Sequence, residues 1–388
     1  MPTVTIGFFP REQFSLAAES LQRILDYTDI PFNLIIVDCD TPALYWQQVE
    51  QLIKDRRNVR VIHVDHYLLP NQSRNLLVKE VEDEFLCLIE NDVLVSEGWL
   101  SRLVSACEET PADVAVPLII EGRPGSRAVH WDPNAGCLQE VKTDGGPKWE
   151  ILPATGEQRY DPCGRRRAME FLEDHCILFR RCVFDRIAEF DESLTQRQHI
   201  DLSIALHHAK VPIVYEPEAI VHFWHPYPPA IEDLDFFFMR WDIALAAKSC
   251  ERIRNRWNLI ELPGDHSFAI ERNRIGHLYE VRDKLRLLMS QEPFILADEG
   301  SLIGNKIIEG FNAIPFTERN GQYWGAPADD DAAIRELERL RHKGACAIAF
   351  LWPTFWWLDH YSRFHDYLFR HFPCLSSDDR MLVFGLQP

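Results

Sequence analysis

Residues 84–95 read Glu84-Phe85-Leu86-Cys87-Leu88-Ile89-Glu90-Asn91-Asp92-Val93-Leu94-Val95, an apolar run that ends in two acids on either side of an amide. Nearly continuous apolar residues are typical of a strand covered on both faces of an α/β sheet, and such sheets bind ligands just beyond the carboxyl ends of their strands. Glu90 and Asp92 lie two residues apart, so their carboxylates point the same way on an extended chain. Convergent carboxylates are typical ligands of Mg2+ or Mn2+, which complete their shells with substrate phosphates. The stretch predicts such a site, and the alternative is an acidic turn that follows a strand and binds nothing.

The composition is that of a globular chain with an acidic surface. The 388 residues are 46% hydrophobic and 26% charged, and the chain is long enough for two domains. The net charge of -19 argues against nucleic acid or an anionic membrane as the main partner, because either requires a basic face. No apolar run reaches the roughly 18 residues of a transmembrane helix, and the N-terminus lacks the pattern of a signal peptide. We therefore expect bound phosphates to be met by a cation or a few arginines.

The ten cysteines are scattered and include no C-x-x-C pair. This pattern favours reduced core residues over a disulfide or zinc framework, as in a cytoplasmic protein.

Strands and helices alternate over the first hundred residues. Strands are predicted at 4–9, 32–37 and 59–64, each followed by a helical pattern, and the run at 85–89 is the fourth strand. This alternation predicts a parallel sheet with right-handed crossovers. Neither G-x-G-x-x-G nor G-x-x-x-x-G-K follows the first strand, which excludes the usual dinucleotide and P-loop sites.

The signals at the ends of these strands resemble, in their order, the nucleotide-sugar half of a family 2 glycosyltransferase with the GT-A fold. The matching segments are Pro10-Arg11-Glu12, Asp38, Ser73-Arg74-Asn75, Glu90-Asn91-Asp92 in place of D-x-D, and Trp99-Leu100. The resemblance implies that Asp38 binds the base and that Asp92 is a metal ligand, while Glu90 or Asn91 faces the ribose or the water shell of the metal. The donor-binding residues it implies are Pro10, Arg11, Glu12, Asp38, Asn71, Arg74, Glu90 and Asn91. The implied cofactor is Mn2+ or Mg2+, and the implied donor is a nucleotide sugar, UDP-linked in the first instance.

The general base is left open among three residues. The segment Gln198-His199-Ile200-Asp201-Leu202 resembles the E-D-x-D-L motif of the family, but His199 stands where many relatives have the catalytic Asp. An inverting transfer requires a base within reach of the acceptor hydroxyl. Asp201 is favoured as a carboxylate, His199 has the more suitable ordinary pKa, and Asp174 is the third candidate. Without such a role, Asp201 is a first-turn acid that the helix dipole favours.

A third metal ligand is implied by the resemblance of residues 217–222 to the P-x-a-x-V-x-H ending of the family. His222 occupies the ligand position and His225 is a nearby substitute, although a lone histidine after a strand is usually structural. Imidazole suits Mn2+ better than Mg2+. The cluster Arg165-Arg166-Arg167 is either an anion site or a solvated turn.

The expected organisation is a GT-A catalytic domain at 1–230, a helical connector at 231–291 and a small α/β module of unknown role at 292–388. The expected function is an inverting, metal-dependent transfer from a nucleotide sugar to a hydroxyl of a saccharide, lipid-linked or small-molecule acceptor. The alternative is a catalytically silent GT-A fold that serves as a binding or scaffold protein. The sequence leaves the oligomeric state open.

Overall fold

The chain forms two compact units, Met1–Ala269 and Ile270–Pro388. They are seen in a computed structural model that describes residues 2–130, 137–143, 146–152, 164–262, 267–289, 292–300 and 310–387. The boundary between them lies inside the segment 231–291 that the sequence assigns to a connector. None of the helices in these ranges combines the length and the apolar character needed to cross a bilayer.

The first unit contains the elements that position the predicted site. Its strands are β1 (Val4–Phe9), β2 (Asn33–Cys39), β3 (Val59–Val64), β4 (Phe85–Glu90), β5 (Val93–Val95), β6 (Val114–Glu121), β7 (Ala128–Val129), β8 (Cys137–Thr143), β9 (Gly146–Leu152), β10 (Arg167–Met169), β11 (Cys176–Arg180) and β12 (Ile213–Phe223). Its helices are α1 (Ala17–Tyr27), α2 (Ala43–Ile53), α3 (Pro70–Glu80), α4 (Trp99–Glu109), α5 (Gln198–His208), α6 (Leu234–Arg240) and α7 (Ile243–Arg256). The four strands predicted up to residue 89 are all present.

The central sheet has the order β10-β12-β6-β11-β4-β1-β2-β3. Strands β3, β2, β1 and β4 are parallel, as are β6 and β12. Strand β11 is antiparallel to both β4 and β6. The predicted α/β class with a mostly parallel sheet is confirmed, and the arrangement agrees with the GT-A prediction. The reversal at β11 could not be predicted, because a strand buried on both faces shows the same apolar run in either direction.

Apolar layers cover both faces of β4. Phe85, Cys87 and Ile89 belong to one buried cluster, whereas Leu86 and Leu88 belong to the other. This two-sided burial explains the continuous apolar run of the sequence, since alternate side chains of a strand point to opposite faces. On the neighbouring strand, a Cβ added at Gly7 would lie 2.9 Å from the Leu77 Cδ1 atom of α3. Glycine at this position therefore allows α3 to approach the sheet closely.

Strand β12 is the longest strand of the sheet, with eleven residues. It continues to Phe223 across a register shift between Glu216 and Ile220, and its far end pairs with β5. The Trp224 amide then donates to the Asp92 carbonyl at 2.9 Å. The end of β12 thereby holds the acidic turn in place. Strands β8 and β9 form an antiparallel hairpin outside the central sheet.

The second unit is the predicted small α/β module. Its strands are β13 (Phe294–Ala297), β14 (Ala313–Pro315), β15 (Glu318–Arg319), β16 (Gln322–Tyr323), β17 (Ala347–Leu351), β18 (Cys374–Ser377) and β19 (Met381–Gly385). The helices that follow α7 are α8 (Ser267–Met289), which begins just before the boundary, α9 (Asp330–His342), α10 (Phe355–His360) and α11 (Ser362–His371). The main sheet has the order β14-β13-β17-β19-β18. At the start of α9, Asp329 accepts a hydrogen bond from the Ala332 amide at 2.7 Å. Gly344, two residues after the end of the helix, has a φ of 106°.

Candidate active site

Asn91 ties the acidic turn after β4 to the turn after β1. Its amide donates to the Phe9 carbonyl at 2.9 Å, and its side-chain oxygen accepts from the Arg11 amide at 3.1 Å. Its side-chain nitrogen donates to the Gln13 carbonyl at 2.7 Å. The side-chain oxygen and the side-chain nitrogen of Asn91 therefore both form hydrogen bonds within the protein. Asn91 fixes the geometry of the site, and contact of its side chain with a ribose remains a prediction.

Glu90 lies at the centre of a network of cations. Its Oε1 accepts from Arg74 at 2.9 Å, while its Oε2 lies 2.7 Å from His175 Nδ1 and 3.2 Å from Arg11 Nε. Burial raises the pKa of this carboxyl, and the charges of Arg11 and Arg74 oppose the shift. Both carboxylate oxygens are occupied, so Glu90 holds the surrounding side chains in position.

Asp92 presents a different environment although it lies only two residues away. Its side chain is 1% exposed, and neither carboxylate oxygen has a hydrogen-bond partner among the described residues. Arg11 Nη1 lies 3.5 Å from Oδ2, and burial raises the pKa of the carboxyl to about 6. A buried carboxylate without hydrogen bonds is unfavourable unless it is protonated or a cation binds it. Asp92 is therefore the open ligand position of the turn.

The side chains around Asp92 fit a divalent cation. Ligand atoms of Glu90, Asp92 and His175 all lie within 4.8 Å of one another. Carboxylate oxygens suit Mg2+ and Mn2+ alike, and an imidazole nitrogen is accepted more readily by Mn2+. The guanidinium of Arg11 lies beside the same carboxylates, which places a fixed positive charge next to the cation position.

Arg74 joins α3 to two acids of the site. Its Nη1 donates to Asn71 Oδ1 at 2.9 Å, and its Nη2 lies 2.9 Å from Glu90 Oε1 and 2.8 Å from Asp174 Oδ2. Asn71 in turn donates to the Asp191 carbonyl at 2.9 Å. The Arg74 side chain is 2% exposed, so three charges share a buried environment. Arg74 therefore holds the carboxylates of Glu90 and Asp174 in position.

We expect Arg74→Met to lower the free energy of unfolding by about 3–5 kcal/mol, because it leaves two buried carboxylates without their cation. Urea unfolding monitored by circular dichroism measures this change. The matched control is Arg60→Met, which removes the exposed ion pair with Glu80 and should cost at most about 1 kcal/mol. Equal destabilisation by the two variants would contradict the proposed organising role of Arg74.

Asp174 and His199 lie together beside this network. Ligand atoms of Glu173, Asp174 and His199 are within 4.8 Å of one another. Burial acts to raise the pKa of Asp174, but the charges of Arg74, His199 and Arg11 outweigh it and lower the pKa to about 2. Burial lowers the pKa of His199 to about 4, so its imidazole is neutral near pH 7. The pair thus consists of an ionised carboxylate and an imidazole that can accept a proton.

The Asp201 carboxylate is bound by two residues at the end of α7, Arg256 and Trp257. Its Oδ2 lies 3.0 Å from Arg256 Nη1, and its Oδ1 accepts from Trp257 Nε1 at 2.6 Å. Burial raises the pKa of the carboxyl, and the hydrogen bond from Trp257 opposes the shift. Residues two apart on a helix point about 200° apart, which explains why Asp201 and His199 face different surroundings. Asp201 connects α5 to the end of α7.

Three predicted donor-binding residues follow β1, namely Pro10, Arg11 and Glu12, and Pro10 is buried. Glu12 accepts from Trp241 Nε1 at 2.6 Å and lies 3.7 Å from Arg11 Nη1. Asp38 follows the apolar part of β2, where its Oδ1 accepts from the Thr41 amide at 3.1 Å. Strands β1 and β4 run parallel to β2 and end at the same edge of the sheet. The role of Asp38 in binding a base remains a prediction.

His222 is not part of the ligand cluster around Asp92. Among the described residues, the cluster of potential ligand atoms that contains Asp92 includes neither His222 nor His225. On β12, His222 points to the opposite face from Phe223, whose ring stacks on His175 with a centroid distance of 3.9 Å. Burial, together with the charge of Arg23, lowers the pKa of His222. A role for His222 as third ligand stays a prediction from the sequence.

The basic cluster at 165–167 has local partners. Arg166 forms ion pairs with Glu109 and Glu216, and Arg167 lies over the Tyr215 ring at 5.3 Å. These contacts favour the structural interpretation of the cluster.

Sequence reasoning missed Glu173, His175 and Arg240. His175 is fully buried between Glu90 and the ring of Phe223. Burial raises the pKa of Glu173 to about 7, and the charge of Asp174 adds to the effect. Arg240 is 3% exposed and lies over the Trp241 ring at 4.5 Å, and burial lowers its pKa to about 10. The one signal in the sequence was the charged triplet at 173–175 immediately before an apolar strand.

Comparisons with known sequences support the resemblance. Residues 9–188 match the sequence model of glycosyl transferase family 2. Over 167 residues, the chain is 25% identical to the pre-mycofactocin glycosyltransferase of Mycobacterium tuberculosis, in two strains. The aligned part is 42% of this chain and 32% of the relative, so the chain spans about a third of the length of these curated relatives.

The solved structures that this chain resembles are less similar to it in sequence, at 14% and 17% identity. The crystal structure of GalNAc-T7 with UDP, GalNAc and Mn2+ has a TM-score of 0.46 and 14% identity, and the match covers 76% of this chain and 59% of that chain. The structure of S. aureus TarS 1–349 has a TM-score of 0.42 and 17% identity, with 75% and 76% covered. The match to the family model includes the turn after β1, the acidic turn after β4, and β11, which contribute to the site described above. Residues 9–188 of this chain are therefore similar in sequence to glycosyl transferase family 2.

Proposed function

We propose that the first unit is an inverting, divalent-metal-dependent glycosyltransferase that moves a sugar from a nucleotide sugar, UDP-linked in the first instance, to an acceptor hydroxyl. The family match of residues 9–188 supports transfer from a nucleotide sugar. The observation that carries the metal-dependent site is the Asp92 carboxylate, which is buried at the carboxyl edge of the sheet and has no hydrogen-bond partner in the described part of the chain.

On the donor side, Asp92 would hold the cation, and Glu90 offers the nearest further carboxylate. The cation, when bound, neutralises the charge that develops on the leaving diphosphate. Arg11 adds a fixed positive charge beside the same position, 3.5 Å from Asp92 Oδ2. A strongly acidic protein requires such local cations to bind a diphosphate.

On the acceptor side, we assign the base to His199, with Asp174 beside it. The acceptor oxygen attacks the anomeric carbon from the face opposite the diphosphate, and the bond to the diphosphate oxygen breaks with its electron pair. The proton of the acceptor hydroxyl passes to the neutral imidazole of His199. The ionised Asp174 stabilises the resulting imidazolium, as a carboxylate does for the histidine of a catalytic triad. Asp201, which the sequence favours, is held by Arg256 and Trp257 instead.

Two finer points belong to the same proposal. Manganese and magnesium both suit the site, since carboxylate oxygens are ligands for either ion. A cytoplasmic location is suggested by the cysteines, since eight of the ten are free thiols. The acceptor is a saccharide, a lipid-linked acceptor or a small molecule.

The proposal is tested by hydrolysis and transfer of radiolabelled UDP-sugars with and without Mn2+. We expect release of labelled sugar that depends on Mn2+ and stops when the metal is chelated. A panel of nucleotide sugars in thermal-shift assays identifies the donor, because a ligand that binds only the folded state raises the apparent stability. Metal-dependent stabilisation by a nucleotide sugar without any turnover would favour the alternative, a catalytically silent binding protein.

A further inference from the structure

A group of nitrogen and oxygen ligands lies next to the proposed donor site. It consists of His130, which follows β7, and of Glu173 and His175, which precede β11. His130 Nε2 and His175 Nε2 are 3.2 Å apart, and Glu173 Oε1 lies 3.7 Å from His175 Nε2. The three ligand atoms are all within 4.8 Å of one another. Two histidines and a glutamate thus converge on one point from two separate segments of the chain.

Both histidines are oriented by carboxylates on their other ring nitrogen. His175 Nδ1 lies 2.7 Å from Glu90 Oε2, and His130 Nδ1 is hydrogen-bonded to Glu121. In the tautomer in which each Nδ1 donates to its carboxylate, Nε2 carries the free lone pair of the ring. The lone pairs of the two Nε2 atoms therefore point at each other across 3.2 Å. Carboxylate contacts of this kind orient the histidine ligands of protein metal sites.

The spacing of these atoms agrees with a tetrahedral metal site. Two nitrogens at about 2.0–2.1 Å from a tetrahedral ion are about 3.3 Å apart, close to the separation of the two Nε2 atoms. Zinc and related transition metals prefer imidazole nitrogen, whereas Mg2+ and Ca2+ prefer oxygen. The His130 side chain is 24% exposed, which leaves the ion a route from solvent.

We propose that His130, Glu173 and His175 form a binding site for a divalent transition-metal ion of the zinc class. The site differs from the proposed donor-site cation in its ligands, because Asp92 does not belong to this cluster. His175 lies between the two sites, with Nε2 facing the new site and Nδ1 facing Glu90. The competing explanation is that one of the two histidines carries an additional proton, so that its Nε2 donates a hydrogen bond to the Nε2 of the other. Only the first explanation predicts binding of a metal ion.

The test uses the full chain carrying Asp92→Asn, which disables the donor-site cation position. The protein is treated with a chelator and titrated with Zn2+ by calorimetry, and with Co2+ monitored by visible absorption. We expect one ion per chain and the strong absorption of tetrahedral Co2+. Adding His130→Ala should weaken binding at least a hundredfold by removing a ligand, and Glu121→Gln should weaken it about 10- to 100-fold by removing the orienting carboxylate. The matched control is His342→Ala, whose exposed histidine should make no difference.

Metal-free thermal unfolding verifies that each variant is folded, and the partial exposure of His130 makes a folded variant the expected result. Zn2+ binding that is unchanged by both His130→Ala and Glu121→Gln would overturn the proposal. Loss of all Zn2+ binding on Asp92→Asn alone would also overturn it, because the ion would then belong to the donor site. None of these measurements depends on sugar transfer, so failure of the proposed function is detected separately.

Discussion

Asp92→Asn is expected to abolish manganese-dependent UDP binding and to lower turnover by about a hundredfold or more. The asparagine side chain keeps the size of the aspartate but loses the charge that the cation requires, and loss of the cation removes stabilisation of the leaving diphosphate. Calorimetric titration of UDP in the presence of Mn2+ measures the binding, and release of labelled sugar measures the turnover. The matched control is Asp65→Asn, which removes the charge of a fully exposed acid on the same unit.

The same substitution should stabilise the metal-free protein. The pKa of Asp92 rises from 3.8 to about 6 in the folded state, so its ionisation opposes folding increasingly between about pH 4 and pH 6 and by a constant amount above that. The metal-free wild type should therefore become more stable as the pH falls from about 6 to about 4, and the variant should lack this contribution. Near pH 7, we expect the variant to gain on the order of 2 kcal/mol in the free energy of unfolding. Unchanged Mn2+-dependent UDP binding, or a variant less stable than the wild type without metal, would contradict the assignment of Asp92.

Local sequence was sufficient to predict the acidic turn. A strand buried on both faces requires a continuous apolar run, and its end is marked by the first polar residues, Glu90 to Asp92. The two carboxylates nevertheless have different environments, and no local pattern distinguishes them. Glu90 is occupied by Arg11, Arg74 and His175, which come from three other parts of the chain. Asp92 has no such hydrogen-bond partners among the described residues.

The sequence was less informative where side chains from distant segments meet. His175 lies 85 residues from its partner Glu90, and its role depends on β11 running antiparallel to β4, which apolar patterning does not reveal. On α5, the motif does not show which of its two polar positions faces the site. The helix rotates about 100° per residue, so the tertiary contacts of α5 alone determine that His199 faces Asp174 while Asp201 faces Arg256.

His199→Ala is expected to lower kcat by about 10²- to 10⁴-fold while leaving the dissociation constant of UDP almost unchanged, because it removes the proton acceptor and no donor contact. Asp201→Asn should retain most of the turnover. It should instead lower the free energy of unfolding by about 1–3 kcal/mol, since Arg256 and Trp257 lose a charged hydrogen-bond acceptor. Single-turnover kinetics, UDP titration and urea unfolding measure the three quantities on the same preparations.

The pattern across the two variants distinguishes the candidate bases. His66→Ala is the control for loss of a histidine, because that side chain is 65% exposed, and it should change neither turnover nor stability. Asp174→Asn should lower kcat as well, because the imidazolium that forms on His199 loses its neighbouring negative charge. Turnover that disappears in Asp201→Asn, while His199→Ala remains active, would instead assign the base to Asp201. In that case α5 would have to rotate away from Arg256 when donor and acceptor bind, since the carboxylate that Arg256 and Trp257 hold in this structure is engaged as an acceptor.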